Sequence, residues 1–224
     1  MYLPVQIMTP RGRPRAFDRD VALDSAMHVF WEHGYEGASI AALSEAMGVN
    51  RPSLYAAFGS KEELFREAVG HYRATVGAPT EKALRESPTA RDAIEAVLRA
   101  PASACRSADR PSGCLLILAA SVGAPGNEAV RDELAATRQS LRAMIRDRFK
   151  RAVKDGEIDA GADLDAAADF YLVMLYGLAV RSRDGASADT LDAIIDKAMA
   201  AWGTVTGPAR KIVRSGPRKK SGVG

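Results

Sequence analysis

Apolar positions recur every three to four residues along most of the chain and no stretch alternates with period two, so the sequence predicts helices and no convincing strand. The first helix is expected from about Asp18 to His33, with Ala22, Ala26, Val29 and Phe30 on one face and Gly34 ending it. Ser39 is placed to cap a short second helix whose Ile40, Leu43 and Met47 share a face, and Gly48 suits the left-handed turn at its end. A third helix starts at once. Asn50 can cap it, Pro52 is tolerated in a first turn where backbone donors lack intrahelical partners, and Leu54 and Phe58 point inward four residues apart. Ser60 followed by Glu63 is a capping box, which opens a helix from Lys61 to about Val76, stopped by Gly77 and Pro79.

A second unit begins near Thr89, a cap for a helix carrying Ile94, Val97, Leu98 and Pro101. A compact apolar helix over 113–122 and a breaker over 123–127 precede a long amphipathic helix over 128–154, with Leu134, Leu141, Ile145, Phe149 and Val153 on one side. The next helix, from about Asp163 to Arg183, is apolar on all faces between Phe170 and Val180, and the last carries the stripe Leu191, Ile194, Ile195, Ala198, Met199, Trp202. A helix apolar all round must be covered all round. The last two helices are therefore expected to pair with those of a second chain across a twofold axis, through Met174, Leu178, Leu191, Ile194, Ile195, Ala198 and Trp202. From Thr204 onward Gly, Ser, Pro and basic residues predict a disordered tail.

Composition sets bounds on this picture. With 224 residues, 47% hydrophobic and 26% charged, the chain can bury a sizeable core. Its formal charge of +3 is unevenly spread. Arg11, Arg13 and Arg15 stand near the start, and Arg210, Lys211, Arg214, Arg218, Lys219 and Lys220 near the end, with no acid among them, so the middle is net acidic. Residues 18–76 hold five basic and nine acidic residues, so any attraction for phosphate must come from a few placed cations and the N-terminal arm. Cys105, Cys114 and three histidines offer neither zinc-ligand spacing nor a disulfide framework, and no metal or other cofactor is expected. The longest uncharged apolar run is about half the roughly 20 residues a membrane span needs, and a cytoplasmic protein with no membrane partner is expected.

The segment from Gly48 to Leu64 reads as the turn and second helix of a DNA-binding helix-turn-helix. With Phe30-Trp31-Glu32-His33-Gly34-Tyr35, Ser39-Ile40, Gly48-Val49, Leu54-Tyr55, Phe58 and Ser60-Lys61-Glu62-Glu63-Leu64, it resembles the tetracycline-repressor (TetR) family of bacterial transcriptional regulators. The match is dense from Ala22 to Leu64 and departs most at Pro52, where a glycine is commoner. The resemblance implies an all-α protein of about nine helices. A flexible basic arm (1–17) would precede a helix-turn-helix unit (18–76), followed by an effector-binding and dimerisation unit (77–203) and a basic tail (204–224).

In such a dimer the recognition helix lies in the major groove, with half-sites about 34–36 Å apart. Arg51 is the candidate base reader, because its planar fork can meet guanine O6 and N7 together. Asn50, Pro52 and Ser53 surround it, and Tyr55, one turn on, would offer its hydroxyl to a phosphate. Lys61 and Ser39 sit at helix starts, where free backbone donors suit a phosphate, and Arg13 and Arg15 have the shape of a minor-groove arm. Each has a plainer reading, as a solvated charge, a core ring or a cap.

The family implies an effector cavity in the C-terminal helices, for which Leu116, Leu118, Met144, Phe170, Tyr171 and Met174 are the candidate liners. An apolar set with a few polar tips favours a small hydrophobic or aromatic effector, which would release a repressor from a palindromic operator. A thiol-reactive signal at Cys105, beside Arg106, or a protein partner without any small molecule, is the alternative. No enzyme is expected. The chain has no phosphate-cradling glycine loop, nucleophile elbow or two-histidine metal pair, and Asp163, Asp165 and Asp169 fit a helix N-terminus better than a calcium loop.

Overall fold

The computed structural model describes residues 17–106, 110–119 and 126–208. Among these it forms eleven helices: α1 (Arg19–Gly37), α2 (Ile40–Ala46), α3 (Arg51–Phe58), α4 (Lys61–Ala74), α5 (Ala78–Glu86), α6 (Ala90–Cys105), α7 (Leu115–Leu118), α8 (Glu128–Lys154), α9 (Leu164–Arg183), α10 (Ala188–Ala200) and α11 (Trp202–Val205). The arm with Arg13 and Arg15 and the tail from residue 209 lie outside the described residues.

Side-chain caps set most helix starts. Asp18, Ser39, Asn50, Ser60, Thr89, Asp163 and Ser187 each accept from a backbone N–H of the first turn that follows. At Ser60 the box closes in both directions: Glu63 N donates to Ser60 Oγ at 3.1 Å, and Ser60 N to Glu63 Oε2 at 2.7 Å.

Two apolar clusters divide the molecule. The head is built on α1–α4. Phe30, Trp31, Tyr35, Leu43, Leu54, Phe58, Leu64 and Phe65 are all buried there, with Phe65 edge-on to Phe30 at 5.0 Å and to Tyr35 at 5.1 Å. Leu115 and Ala119, from α7 and its end, and Val130 and Leu134 of α8 belong to the same cluster, so body helices close the core of the head. The body cluster joins α5, α6, α8, α9 and α10 around Ile94, Leu98, Ile145, Phe149, Tyr171, Leu178, Leu191 and Ile195.

Three expectations change. The chain after Gly77 is helical, because Pro79 stands in the first turn of α5, where its missing N–H costs nothing. The helix expected over 113–122 is described only as the single turn of α7. Pro101 sits inside α6 as expected, and the helix continues through it to Cys105. Thr204–Pro208, expected to open a disordered tail, are ordered: Thr206 is buried and Pro208 pairs with Ala162 through an isolated bridge.

The dimer set also divides. Leu191 and Ile195 are fully buried and Leu178 nearly so, in the chain's own core, where α10 packs on α6. Trp202 packs on Phe149 and Tyr171, with ring centroids 6.0 and 5.7 Å apart. Leu178, Leu191 and Ile195 therefore have no surface left for a second chain, whereas Trp202 is half-buried. The apolar surface that remains open is a groove between α9 and α10, lined by Phe170, Met174, Ile194 and the edge of Ala198. Along the outside of α9, Val173 is 64% and Val180 43% exposed.

Candidate nucleic-acid interface and effector cavity

The α2–turn–α3 unit has the geometry a groove reader needs. Met47 closes α2, Gly48 takes a φ of +65°, and Asn50 starts α3 two residues later. Leu54, fully buried, and Phe58, 3% exposed, anchor α3 from below. Its outer face then carries Arg51, Pro52 and Tyr55, the last 47% exposed, with Ser53 half-buried beside them. An aromatic ring left half in water on a well-packed unit is informative, since Leu54 and Phe58 already fill the core side of this helix.

Asn50 accepts Ser53 N through Oδ1 at 2.9 Å, so the cap occupies its carbonyl and the Nδ2 amide is its outward donor. Ser39 is exposed and caps α2 by accepting Ala42 N at 3.0 Å. Lys61 begins α4 with its Nζ 4.5 Å over the Tyr35 ring. Burial pulls the Lys61 pKa down, and the nearby Glu36 carboxylate acts the other way. A cation is thus fixed at a helix start by a core ring, in line with its expected place at a phosphate. Arg19 stands apart from this set: it pairs with Glu67 at 2.7 Å and covers the Phe58 ring at 4.4 Å.

A cavity of about 400 Å³ lies where α1 and α4 of the head meet α5, α6, α8 and the approach to α7. Its walls are Trp31, Tyr72, Val76, Pro79, Ala100, Pro101, Leu116, Leu141, Met144 and Leu175, with Arg73, Glu81, Thr137, Arg110 and Cys114 as polar points. The size falls within the range of about 300–1,000 Å³ usual for small-molecule sites. Arg73 and Glu81 pair at 3.2 Å across the α4–α5 junction. The Tyr72 hydroxyl is hydrogen-bonded to Cys114, and burial pushes both groups up, Tyr72 well above its ordinary value.

Of the expected liners, Leu116 and Met144 are in this wall. Phe170 and Met174 instead line the outer groove, because they lie on the face of α9 turned away from α6 and α8. Tyr171 is 1% exposed within the body core, where burial raises its pKa to about 12, and Leu118 packs toward Gly113. Trp31 and Tyr72 were missed as wall residues, since their spacing marks them as head core and only the tertiary fold turns that core toward the body. Cys105, the thiol singled out from its basic neighbours, instead meets Ser182 Oγ at 2.8 Å. No group of acidic, cysteine or histidine side chains suited to a metal occurs among the described residues, and none of their helices is long and apolar enough to cross a membrane.

A capped two-helix unit on a small aromatic core, joined to a helical body with an apolar cavity, defines a helix-turn-helix regulator with a helical C-terminal domain. Comparison with known proteins agrees. Residues 22–68 match the family described as bacterial regulatory proteins, tetR family, and residues 90–198 match the tetracyclin repressor-like C-terminal domain. The chain is 34% identical over 193 residues to the HTH-type transcriptional repressor ComR of Escherichia coli (strain K12), covering 86% of this chain and 92% of that one. Among solved structures it is similar to a cysteine-substituted form of the TetR family transcriptional regulator CifR, complexed with 26-bp double-strand operator DNA. That likeness has a TM-score of 0.82 and 47% identity over 85% of this chain and 100% of that one. A TetR regulator from Rhodococcus sp. RHA1 is 38% identical, with a TM-score of 0.56 over 86% of this chain and 100% of that one. The protein belongs to the TetR family of bacterial transcriptional regulators and is not an enzyme.

Proposed function

We propose that the protein is a cytoplasmic homodimeric repressor that binds a palindromic operator and leaves it when a small apolar or aromatic effector fills the body cavity. The observation that carries the DNA half is the outward set Arg51, Pro52, Tyr55 on a helix whose inner face is fully used by Leu54 and Phe58. Arg51 reads base edges. Asn50 and Ser53 contact neighbouring groups, while Tyr55, Lys61 and Ser39 hold phosphates, with Arg13 and Arg15 reaching the minor groove. Residues 18–76 act as the DNA-binding unit and 77–203 as the effector and dimerisation unit. The groove of Phe170, Met174 and Ile194, with Val173 and Val180 beside it, is the face that meets the second copy.

Mobility shift on the protein's own promoter region, across a salt series, tests this reading. Binding to one site is expected, with log affinity falling steeply and linearly with log salt, by about 0.9 per phosphate neutralised. Binding equal to that of unrelated DNA would sink it.

Cys114 favours a second reading, in which the signal is a thiol-reactive molecule that enters the same cavity. Against it, burial pushes this thiol's pKa up and so lowers its share of thiolate, which is the nucleophile. On the first reading, N-ethylmaleimide is expected to leave operator binding of wild type and Cys114→Ser alike. Release of wild type from DNA, with Cys114→Ser resistant and Cys105→Ser not, would establish the second.

A further inference from the structure

Near the end of α1 the helix is broken by a kink at Gly34, which has a left-handed φ of +70°, and the body grips this turn from two sides. Arg183, in the last turn of α9, donates Nη2 to Trp31 O at 2.5 Å and Nη1 to Glu32 O at 3.1 Å. On the other side, Ala119 O at the end of α7 accepts Tyr35 N at 2.9 Å, and a Cβ on Gly34 would lie 3.0 Å from that oxygen. Any side chain at position 34 would therefore be both strained and crowded.

The two grips are tied together behind the turn. Ser182, 1% exposed, accepts Gly113 N through Oγ at 3.1 Å and meets Cys105 Sγ at 2.8 Å. A Cβ on Gly113 would lie 2.9 Å from Ala179 O, so the approach to α7 is pressed against α9. The carbonyls that Arg183 satisfies are those an ending helix leaves without intrahelical donors, and they carry the negative end of its dipole. A guanidinium fork meets two of them at once, which a single ammonium group does less well. Of the other head–body polar ties among the described residues, Arg66–Glu133 at 2.9 Å and Asn127–Glu36 at 2.5 Å join exposed side chains, where water and salt weaken them, while Arg73–Glu81 and Tyr72–Cys114 lie at the cavity wall, away from the Gly34 turn.

We propose that Arg183 is a positioning residue that fixes the angle of the DNA-binding head on the body, and that the cavity communicates with the recognition helix through this Arg183–Gly34 junction. Trp31 and Gly113 are cavity wall and junction at the same time. An occupant that displaces either of them therefore moves the support of α1, and with it α2 and α3. The communication deepens the repressor reading and rests on it; the positioning of the head does not.

Hydrogen exchange on the full chain tests the junction, with Arg183→Met and Arg183→Lys beside wild type. The amide of Tyr35 is expected to exchange at least about ten-fold faster in Arg183→Met, less so in Arg183→Lys, while amides in the middle of α10 keep their wild-type rates. On the operator mapped by mobility shift, the affinity penalty for one extra base pair between the half-sites is expected to shrink several-fold in Arg183→Met, because a loosely held head tolerates a changed spacing. Wild-type exchange at Tyr35 in both folded variants would overturn the proposal. So would uniform acceleration along the whole chain, which would make Arg183 a stability element only. If Arg183→Met does not fold, Arg183→Lys decides by the same two readouts. Failure of wild type to bind its promoter would remove the repressor reading, while the exchange result would still decide the positioning role.

Discussion

Replacing Arg51 and Tyr55 together by alanine is expected to weaken operator binding at least about 1,000-fold, with the melting temperature of the protein unchanged within a degree or two. The size follows from symmetry. A bidentate contact from arginine to guanine contributes about 1–3 kcal/mol of discrimination, and a hydrogen bond to a charged phosphate about 1.5–3 kcal/mol. A dimer loses each of these twice, and every 1.4 kcal/mol is about tenfold in affinity. The unchanged stability follows from exposure: Arg51 projects into water, Tyr55 is 47% exposed, and alanine is at least as good a helix former as either. Fluorescence anisotropy on the operator, with a thermal melt as control, reads both quantities. Retained affinity in the double variant would shift the work of binding to the basic termini and remove α3 from the groove.

The helix-turn-helix was legible in the sequence because its constraints are local. A cap, a breaking glycine and two apolar residues four apart act within a dozen residues, and Ser39, Gly48, Asn50, Leu54, Phe58 and Ser60 all take the places their chemistry predicts. The helix α5 escaped notice because Gly77 and Pro79 read as a stop. Leu84 is its only buried residue, too little to leave a periodic signal.

The cavity was harder for a different reason. An apolar residue at helical spacing says that a face is covered without saying by what. Phe170 and Met174 look like Leu175 in the sequence, yet they face an outer groove while Leu175 faces the cavity. The same ambiguity placed Leu191 and Ile195 at a subunit boundary when α6 already covers them. Trp31 and Tyr72 could not be assigned to a cavity at all from the chain, because their wall exists only once α5, α6 and α8 have packed against the head.

The second large effect concerns the core that holds the reading helix in place. Phe65 is fully buried at the centre of the head, edge-on to Phe30 and Tyr35, and Tyr35 in turn lies under Lys61. Truncating it to alanine is expected to cost about 3–5 kcal/mol, the range for a buried phenylalanine whose site collapses only in part. Two aromatic pairs worth about 0.5–1.5 kcal/mol each are lost with it and push the cost to the upper end. Since whole domains are stable by only about 5–15 kcal/mol, the head of the variant stands close to unfolding at room temperature. A fall of about 6–20 °C in the melting temperature is the corresponding thermal effect, at about 2–4 °C per kcal/mol for a chain of this size. The body core is a separate cluster, so the urea transition of Phe65→Ala followed by circular dichroism is expected to split, the head unfolding first. Operator affinity falls in this variant too, and the two variants are told apart by Phe65→Leu. That substitution keeps most of the buried volume and is expected to restore both stability and DNA binding, whereas no repacking of the core can restore a contact that Arg51 and Tyr55 made directly. A single transition within 1 kcal/mol of wild type in Phe65→Ala would mean that the head draws its stability from Leu115, Ala119, Val130 and Leu134 of the body more than from its own aromatic centre.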